Sequence, residues 1–153
     1  MRRMLVLSVL ISLFLSGTAL AQSAHVMVQP DDVKWGEGPP SLPSGAKFAV
    51  IEGKPVEAGP FTMRLRFPAG YKIPAHSHQA IEHVTVLSGV INFGMGDKFD
   101  AAQLKPMPSG SFIVMPIATN HFVETKEETV IQLHGIGPWD VKYVNPEDDP
   151  RRR

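Results

Sequence analysis

The sequence predicts an all-β domain of the sandwich or barrel type. About eight short apolar stretches follow residue 46, and glycine or proline residues separate them. Residues 61–67 alternate between apolar and polar side chains, as a strand with one buried face does. No stretch after residue 21 has a sustained helical period, and the chain contains no cysteine. The fold must therefore depend on core packing rather than on disulfide bonds.

The first 21 residues predict a secretory signal peptide. Arg2 and Arg3 give a positive start, residues 4–15 are apolar, and residues 19–21 (Ala-Leu-Ala) fit a cleavage site between small residues. Serines interrupt the apolar stretch, which is shorter than the roughly 20 residues of a spanning helix. We therefore expect cleavage and a periplasmic or secreted protein with no membrane partner. The arginine pair leaves the Sec and twin-arginine export routes both open.

Residues 22–46 predict an extended arm, because proline, glycine and charged residues dominate them. Trp35 within this arm is expected to cover the barrel or a neighbouring subunit. The whole chain balances 15 Lys and Arg against 15 Asp and Glu, so removing the two signal-peptide arginines leaves a small acidic excess. This balance argues against nucleic acid as a partner, since proteins that bind it usually have a basic face.

Residues 47–145 are predicted to form the domain, and residues 146–153 a flexible charged tail. A hairpin is expected about Ser88-Gly89, between strands at 82–87 and 90–93. Residues 94–110 are expected to form a loop. The other predicted strands are 47–52, 61–67, 111–115, 122–124, 129–134 and 140–144.

The stretch from Gly70 to Gly89 holds two histidines and a glutamate at close spacing. His76 and His78 are two residues apart, so their side chains leave an extended strand on the same face. Glu82 keeps this parity if the strand resumes in register. Two imidazoles and a carboxylate on one face suit a divalent metal ion of the first transition row.

This stretch resembles the first motif of the cupin superfamily. That motif is a glycine, five residues, His-x-His, three or four residues, a glutamate, six residues and a glycine, and residues 70–89 match it throughout. Residues 110–125 are similar to the second cupin motif, which places a further histidine at His121. Two positions differ, because Ala118 stands for the family's glycine and Thr125 for its asparagine.

The resemblance implies a double-stranded β-helix, which is a small jelly-roll barrel. It also implies a metal site whose ligands are His76, His78, Glu82 and His121. Three imidazoles and a carboxylate suit a divalent transition metal, with iron or manganese favoured and zinc, nickel or copper as further options. The alternative is a barrel without metal, in which these side chains only form hydrogen bonds. We favour the metal, because burying four such groups without a partner is costly.

Other polar residues have two interpretations. Gln132 and His134 share one face of a predicted strand. If that face is interior, both would contact the metal ligands or a substrate; if it is exterior, they face solvent. His83 has the opposite parity to Glu82 and is expected to point out of the barrel.

The resemblance implies a metal-dependent protein that acts on a small molecule. Cupins include dioxygenases, oxalate-acting enzymes, isomerases and lyases, so the fold does not fix the reaction. We favour a dioxygenase-like oxidoreductase, because such a site can hold dioxygen and a substrate side by side. The alternative is a module that binds a metal or small ligand without turnover. Cupins commonly pair, and a homodimer is expected in which residues 26–43 lie across the second subunit.

Overall fold

The computed structural model describes residues 25–153, so the predicted signal peptide and the first three residues of the predicted arm lie outside the described range. Within residues 25–153 the regular structure is strand, and the helices are single 3-10 turns. None of these helices is long and apolar enough to cross a membrane. The predicted all-β class is confirmed.

The strands are short and end close to the glycine and proline positions of the sequence. In chain order they are β1 (Gly36–Glu37), β2 (Lys47–Glu52), β3 (Gly59–Phe67), β4 (Lys72–Ser77), β5 (Glu82–Ser88), β6 (Val90–Met95), β7 (Lys105–Pro108), β8 (Phe112–Met115), β9 (His121–Thr125), β10 (Thr129–Gly137) and β11 (Lys142–Tyr143).

Two antiparallel sheets enclose one apolar core and form the predicted jelly-roll barrel. The six-stranded sheet has the order β1-β2-β3-β10-β5-β8, and the five-stranded sheet has the order β11-β4-β9-β6-β7. Strand β3 shows why the sequence folds in this way. Met63, Leu65 and Phe67 are buried between the sheets, and Arg64 and Arg66 lie on the outer face, as the alternation predicts.

The predicted hairpin about Ser88-Gly89 is wrong. Strand β5 pairs with β8 and β10, whereas β6 pairs with β7 and β9 in the other sheet. The chain changes sheets at Gly89, whose φ of 73° lies in the left-handed region that glycine adopts without strain. A tight turn and a sheet crossing share the same local sequence signal, so spacing alone does not distinguish them.

The arm lies on the chain's own barrel from residue 36 onward. Strand β1 pairs with β2 and extends the six-stranded sheet. The Tyr143 hydroxyl donates to the Ser41 carbonyl at 2.8 Å, and the Tyr71 hydroxyl donates to the Pro43 carbonyl. Trp35 lies under the Arg66 guanidinium, 4.4 Å from the ring centroid. This part of the arm therefore packs on the chain's own barrel, which is one of the two positions expected for Trp35.

The segment after β11 contains two single 3-10 turns, Pro146–Asp148 and Pro150–Arg152. The side chains of Asn145 and Asp149 cap them by accepting backbone N–H groups. Arg151 connects this segment to Asp140 by an ion pair of 2.8 Å and pairs within the segment with Asp149 at 2.8 Å. The predicted tail thus folds against the loop that follows β10.

Candidate metal centre

Three histidines converge from the five-stranded sheet. His76 on β4 and His121 on β9 are direct cross-strand partners, and their ring centroids are 4.2 Å apart. His78 follows the last residue of β4. All three are almost completely buried, and one ring nitrogen of each lies within 4.8 Å of the others. Three imidazoles this close together can hold one metal ion.

Glu82 approaches this cluster from the opposite sheet. It is the first residue of β5, and the strand does not resume after His78 as the parity argument supposed. Its two carboxylate oxygens lie 3.4 Å from His78 Nε2 and 3.8 Å from His121 Nε2. The compact set within 4.8 Å comprises the histidines alone, so Glu82 lies against two of the three rings. The structure thus brings the four predicted ligands together across the barrel interior.

Backbone carbonyls fix the orientation of each imidazole. Nδ1 of His76 donates to the Pro74 carbonyl at 2.7 Å, and Nδ1 of His121 donates to the Thr119 carbonyl at 3.0 Å. Nδ1 of His78 donates to the Asp140 carbonyl at 2.9 Å. A carbonyl only accepts, so Nδ1 carries the proton and Nε2 keeps its lone pair. This arrangement is the one that metal-bound histidines use.

Burial sets the charge state of the histidines. It lowers the pKa of His76 well below its ordinary value, and the nearby rings of His121 and His78 lower it further. Burial also lowers the pKa of His78 to about 4 and that of His121, against the opposing effect of the Asp140 and Thr119 carbonyls. The rings are therefore neutral at physiological pH, which is the form that binds metals.

Burial has the opposite effect on Glu82. It raises the pKa of this carboxyl to about 7, while the His121 ring and the Trp139 indole lower it. In the metal-free protein the carboxyl therefore retains its proton to a higher pH than an exposed glutamate does. Metal binding at this carboxylate would release that proton.

Trp139 is a further residue of the site and lies in the loop after β10. Its buried indole stacks on the His78 ring, with centroids 4.9 Å apart and planes 18° apart. Its Nε1 is buried and lowers the pKa of the Glu82 carboxyl, yet it forms no hydrogen bond of normal geometry within residues 25–153. Its position after the last long strand did not indicate a contact with the metal ligands, because no motif links it to the histidines.

The residues present fit a metal ion. Nε2 of His78 is buried without a hydrogen-bond partner in the described part of the chain. Beside it is a cavity of about 20 Å³, bordered by the three histidines, Glu82 and Trp139 among apolar side chains. This volume is about that of one water molecule or ion. A buried lone pair beside such a cavity is the environment that a metal ligand requires.

The two departures from the second motif both have a structural explanation. Ala118 adopts a φ of 58°, the left-handed conformation that explains the family's glycine, and its N–H donates to the His78 carbonyl at 2.9 Å. Thr125 is buried, and its hydroxyl donates to the Pro68 carbonyl at 2.7 Å. Each substitution thus keeps the local turn, and Ala118 does so with backbone strain.

Gln132 and His134 lie on the outer face of the six-stranded sheet, away from the metal ligands. The residues that alternate with them, Ile131 and Leu133, are buried in the core. Gln132 accepts a hydrogen bond from Arg64 at 3.1 Å. His134 stacks on its cross-strand partner His83 with centroids 5.0 Å apart. His83 therefore points outward, as its parity predicts.

A family model described as "ChrR Cupin-like domain" matches residues 23–140, which is most of the chain. The chain belongs to this family. The resemblance to cupins predicted from the two motifs is thereby confirmed. No functionally curated protein matches the chain.

Solved structures with the same fold have diverse descriptions. The polyketide cyclase RemF from Streptomyces resistomycificus is 15% identical, with 84% of this chain and 92% of that chain covered and a TM-score of 0.64. A provisionally assigned acetylacetone dioxygenase from Methylibium petroleiphilum PM1 is 20% identical, with coverages of 85% and 88% and a TM-score of 0.63. A chain in the complex of Rhodobacter sphaeroides SigE with the anti-sigma ChrR is 16% identical, with coverages of 70% and 50% and a TM-score of 0.51. At these identities the likeness concerns the fold alone.

Proposed function

We propose that this protein is a metal-dependent cupin that acts on a small molecule at one divalent transition metal ion. His76, His78, Glu82 and His121 would hold the ion. The observation that carries this proposal is the fixed orientation of the three imidazoles, in which each Nδ1 donates to a carbonyl and each Nε2 therefore keeps its lone pair. Burial keeps these rings neutral, and the nearby carboxylate reduces the positive charge of the ion.

The bound metal would supply Lewis-acid or redox chemistry, with iron or manganese favoured and zinc, nickel or copper as alternatives. The chain's own residues prepare the site for it. Trp139 packs on one face of His78 and restricts its rotation. Phe93 packs on His121, with ring centroids 5.7 Å apart. These aromatic rings and the apolar cavity wall exclude bulk water from the ligands.

Dioxygenase-type oxidation is the reaction class we favour. Three imidazoles and one carboxylate leave one or two coordination positions, enough for dioxygen beside a substrate. One protein with this fold is described as a cyclase and another as a dioxygenase. The fold supports several reactions, so the preference for oxidation depends on the donor set rather than on these relatives.

The small cavity favours a second candidate, a module that binds a metal without turnover. A volume of about 20 Å³ admits a molecule of the size of water, whereas an organic substrate requires the lining side chains to move. One structure with this fold contains an anti-sigma factor bound to its sigma factor. The second candidate therefore includes binding to another protein.

The metal site is tested by elemental analysis of protein purified from its native compartment without added metal. Single alanine variants of the four ligands should each lose most of the metal while the barrel remains folded on its apolar core. His83→Ala is the matched control, since its ring lies on the outer face. Full occupancy in His121→Ala, or a loss in His83→Ala as large as in His78→Ala, would contradict the assignment.

Two further measurements separate the enzyme from the binding module. Oxygen consumption that depends on acetylacetone, the compound named for one relative, would support dioxygenase chemistry. Azide added to the Co²⁺-loaded protein should change its visible spectrum if a coordination position is open. A spectrum unchanged by azide, together with no oxygen consumption, would favour binding without turnover.

Export and pairing are part of the same proposal. The signal-like composition of residues 1–21 supports a periplasmic or secreted location. Mass spectrometry of the native protein should then find an amino terminus near Gln22, and cell fractionation should place it outside the cytoplasm. Light scattering of the mature form at micromolar concentration should report a homodimer; a monomer would contradict the pairing.

A further inference from the structure

The orientation of His78 depends on a distant part of the chain, unlike that of the other two histidines. His76 and His121 each donate to a carbonyl two residues earlier in the chain. His78 instead donates to the carbonyl of Asp140, which is 62 residues further along. Whatever fixes the backbone at Asp140 therefore fixes the direction of the His78 lone pair.

Arg151 fixes this backbone from both sides of the Asp140 carbonyl. Its Nη1 donates to both carboxylate oxygens of Asp140 at 3.1 and 2.8 Å, and its Nη2 donates to the Val141 carbonyl at 2.8 Å. Its Nε and Nη2 donate to the two carboxylate oxygens of Asp149 at 2.8 and 2.9 Å. Nitrogens on all three arms of the guanidinium group thus donate hydrogen bonds.

We propose that Arg151 is a positioning residue for the metal ligand His78, acting through Asp140. Arg151 contacts neither the metal ligands nor the cavity, and its side chain is about one-third exposed. The inference depends on the metal site proposed above. It adds that the carboxyl-terminal segment, which neither cupin motif includes, contributes to metal affinity.

A single exposed ion pair would be too weak for this role, since most such pairs contribute little. Arg151 differs because one planar group holds two carboxylates and a backbone carbonyl in fixed relative positions. Lysine has the same charge but cannot form this planar fork. The number and direction of the donors, rather than the charge, should therefore determine the effect.

The direction of the change in affinity separates positioning from simple electrostatics. Removing the positive charge of Arg151 reduces repulsion of a bound cation, so Coulomb interaction alone predicts tighter metal binding. Loss of positioning predicts weaker binding, because His78 would no longer be held in its ligating orientation. Arg152→Ala removes the same charge from the same segment, and no side-chain hydrogen bond of Arg152 is present within residues 25–153.

The experiment measures the Kd for Co²⁺ and Zn²⁺ by competition with a chromophoric chelator. We expect Arg151→Ala and Arg151→Lys to weaken binding roughly 10-fold, the lower end of the effect of losing a group that orients a metal ligand. Arg152→Ala should bind as the wild type does or slightly more tightly. The Co²⁺ visible spectrum should change in both Arg151 variants and stay unchanged in Arg152→Ala.

A double variant tests whether Arg151 and Asp140 act through one contact. Asp140→Ala should weaken binding, and the loss in Arg151→Ala/Asp140→Ala should be smaller than the sum of the two single losses, with the remainder due to the Val141 contact. Additive losses, or wild-type affinity with an unchanged spectrum in Arg151→Ala, would overturn the inference while the metal site stands. If the wild type fails to bind either metal, the proposed site is wrong and this inference falls with it.

Discussion

The indole ring of Trp139 is stacked on the imidazole ring of His78, with the centroids 4.9 Å apart and the planes at 18°. His78 is thus held from two directions, by this stack and by the carbonyl of the next residue, Asp140. Both partners belong to the short loop after β10. A change in the position of this loop is consequently expected to change the orientation of His78, and the reverse.

Replacing Trp139 should separate its packing role from its N–H group. Trp139→Ala removes a buried indole beside the cavity and should cost about 3–5 kcal/mol of unfolding free energy. Trp139→Phe keeps an aromatic ring on His78 and should cost clearly less. Urea unfolding of the metal-free variants measures both, and equal losses would show that the stacking ring does not stabilise the barrel.

Ala118→Gly should stabilise the protein by about 1 kcal/mol. Ala118 has a φ of 58°, and a left-handed conformation costs a non-glycine residue roughly 1–2 kcal/mol. Part of this gain is lost, because glycine increases the entropy of the unfolded chain. Thermal or urea unfolding provides the measurement. Ala58→Gly is the control, since Ala58 has a negative φ. The stability of this variant should fall. A fall in Ala118→Gly as well would show that the backbone at Ala118 is not strained.

Thr125→Val should destabilise the barrel by about 1 kcal/mol, because the Pro68 carbonyl loses the hydrogen bond donated by the buried Thr125 hydroxyl. The change keeps the side-chain shape, so packing contributes little. Thr85→Val is the matched control: Thr85 lies on the outer face, and its hydroxyl forms no hydrogen bond in the described part of the chain. Similar losses for both variants in urea unfolding would show that the hydrogen bond from Thr125 to Pro68 does not stabilise the barrel.

Acid should affect the metal-free protein through the three buried histidines, whose pKa values are lowered, and through Glu82, whose pKa is raised. The pKa of His78 is about 4 in the folded protein against 6.5 when unfolded, so its contribution to stability is lost as the pH falls from 6.5 towards 4. The pKa of Glu82 is about 7 against 4.5, so its contribution is fully present below pH 4.5 and is lost as the pH rises through 7. Between pH 4.5 and 6.5 the effect of Glu82 cancels part of the effect of the histidines.

Glu82→Gln should reveal how the buried histidines alone change the unfolding free energy in acid. Without the carboxyl, the unfolding free energy of the metal-free variant should fall more steeply than that of the wild type between about pH 6.5 and 4.5. Urea titrations at several pH values after removal of metal by a chelator give both slopes. Parallel slopes would mean that the Glu82 carboxyl does not retain its proton in the folded barrel.

The sequence predicted the fold class and the four converging side chains because both depend on short-range patterns. Alternation in β3 decides which residues face the core, and the spacing of the two motifs identifies the histidines. The convergence of Glu82 was predicted on the wrong ground, since it arrives from the opposite sheet rather than along one strand. Motif spacing was sufficient to identify the ligands, even though the predicted path of the chain between them was wrong.

The groups around the ligands could not be predicted from the sequence. Asp140 contributes a backbone carbonyl, which every residue has, and Arg151 acts from a segment with the composition of a solvated tail. The outer position of Gln132 and His134 was open, because a polar face suits both solvent and a polar interior. Only the neighbouring buried residues of β10 place these two side chains outside.

The position of β10 between β3 and β5 determines when the barrel can close. The larger sheet has no continuous hydrogen bonding until residues 129–137, close to the end of the chain, insert between strands that precede them by more than 40 residues. A growing or truncated chain that stops before β10 therefore holds two separate halves of this sheet. Barrels dominated by such distant pairings fold in about milliseconds to seconds. Refolding should be a slow, late and cooperative event, in which the loop carrying Trp139 and Asp140 reaches His78 last.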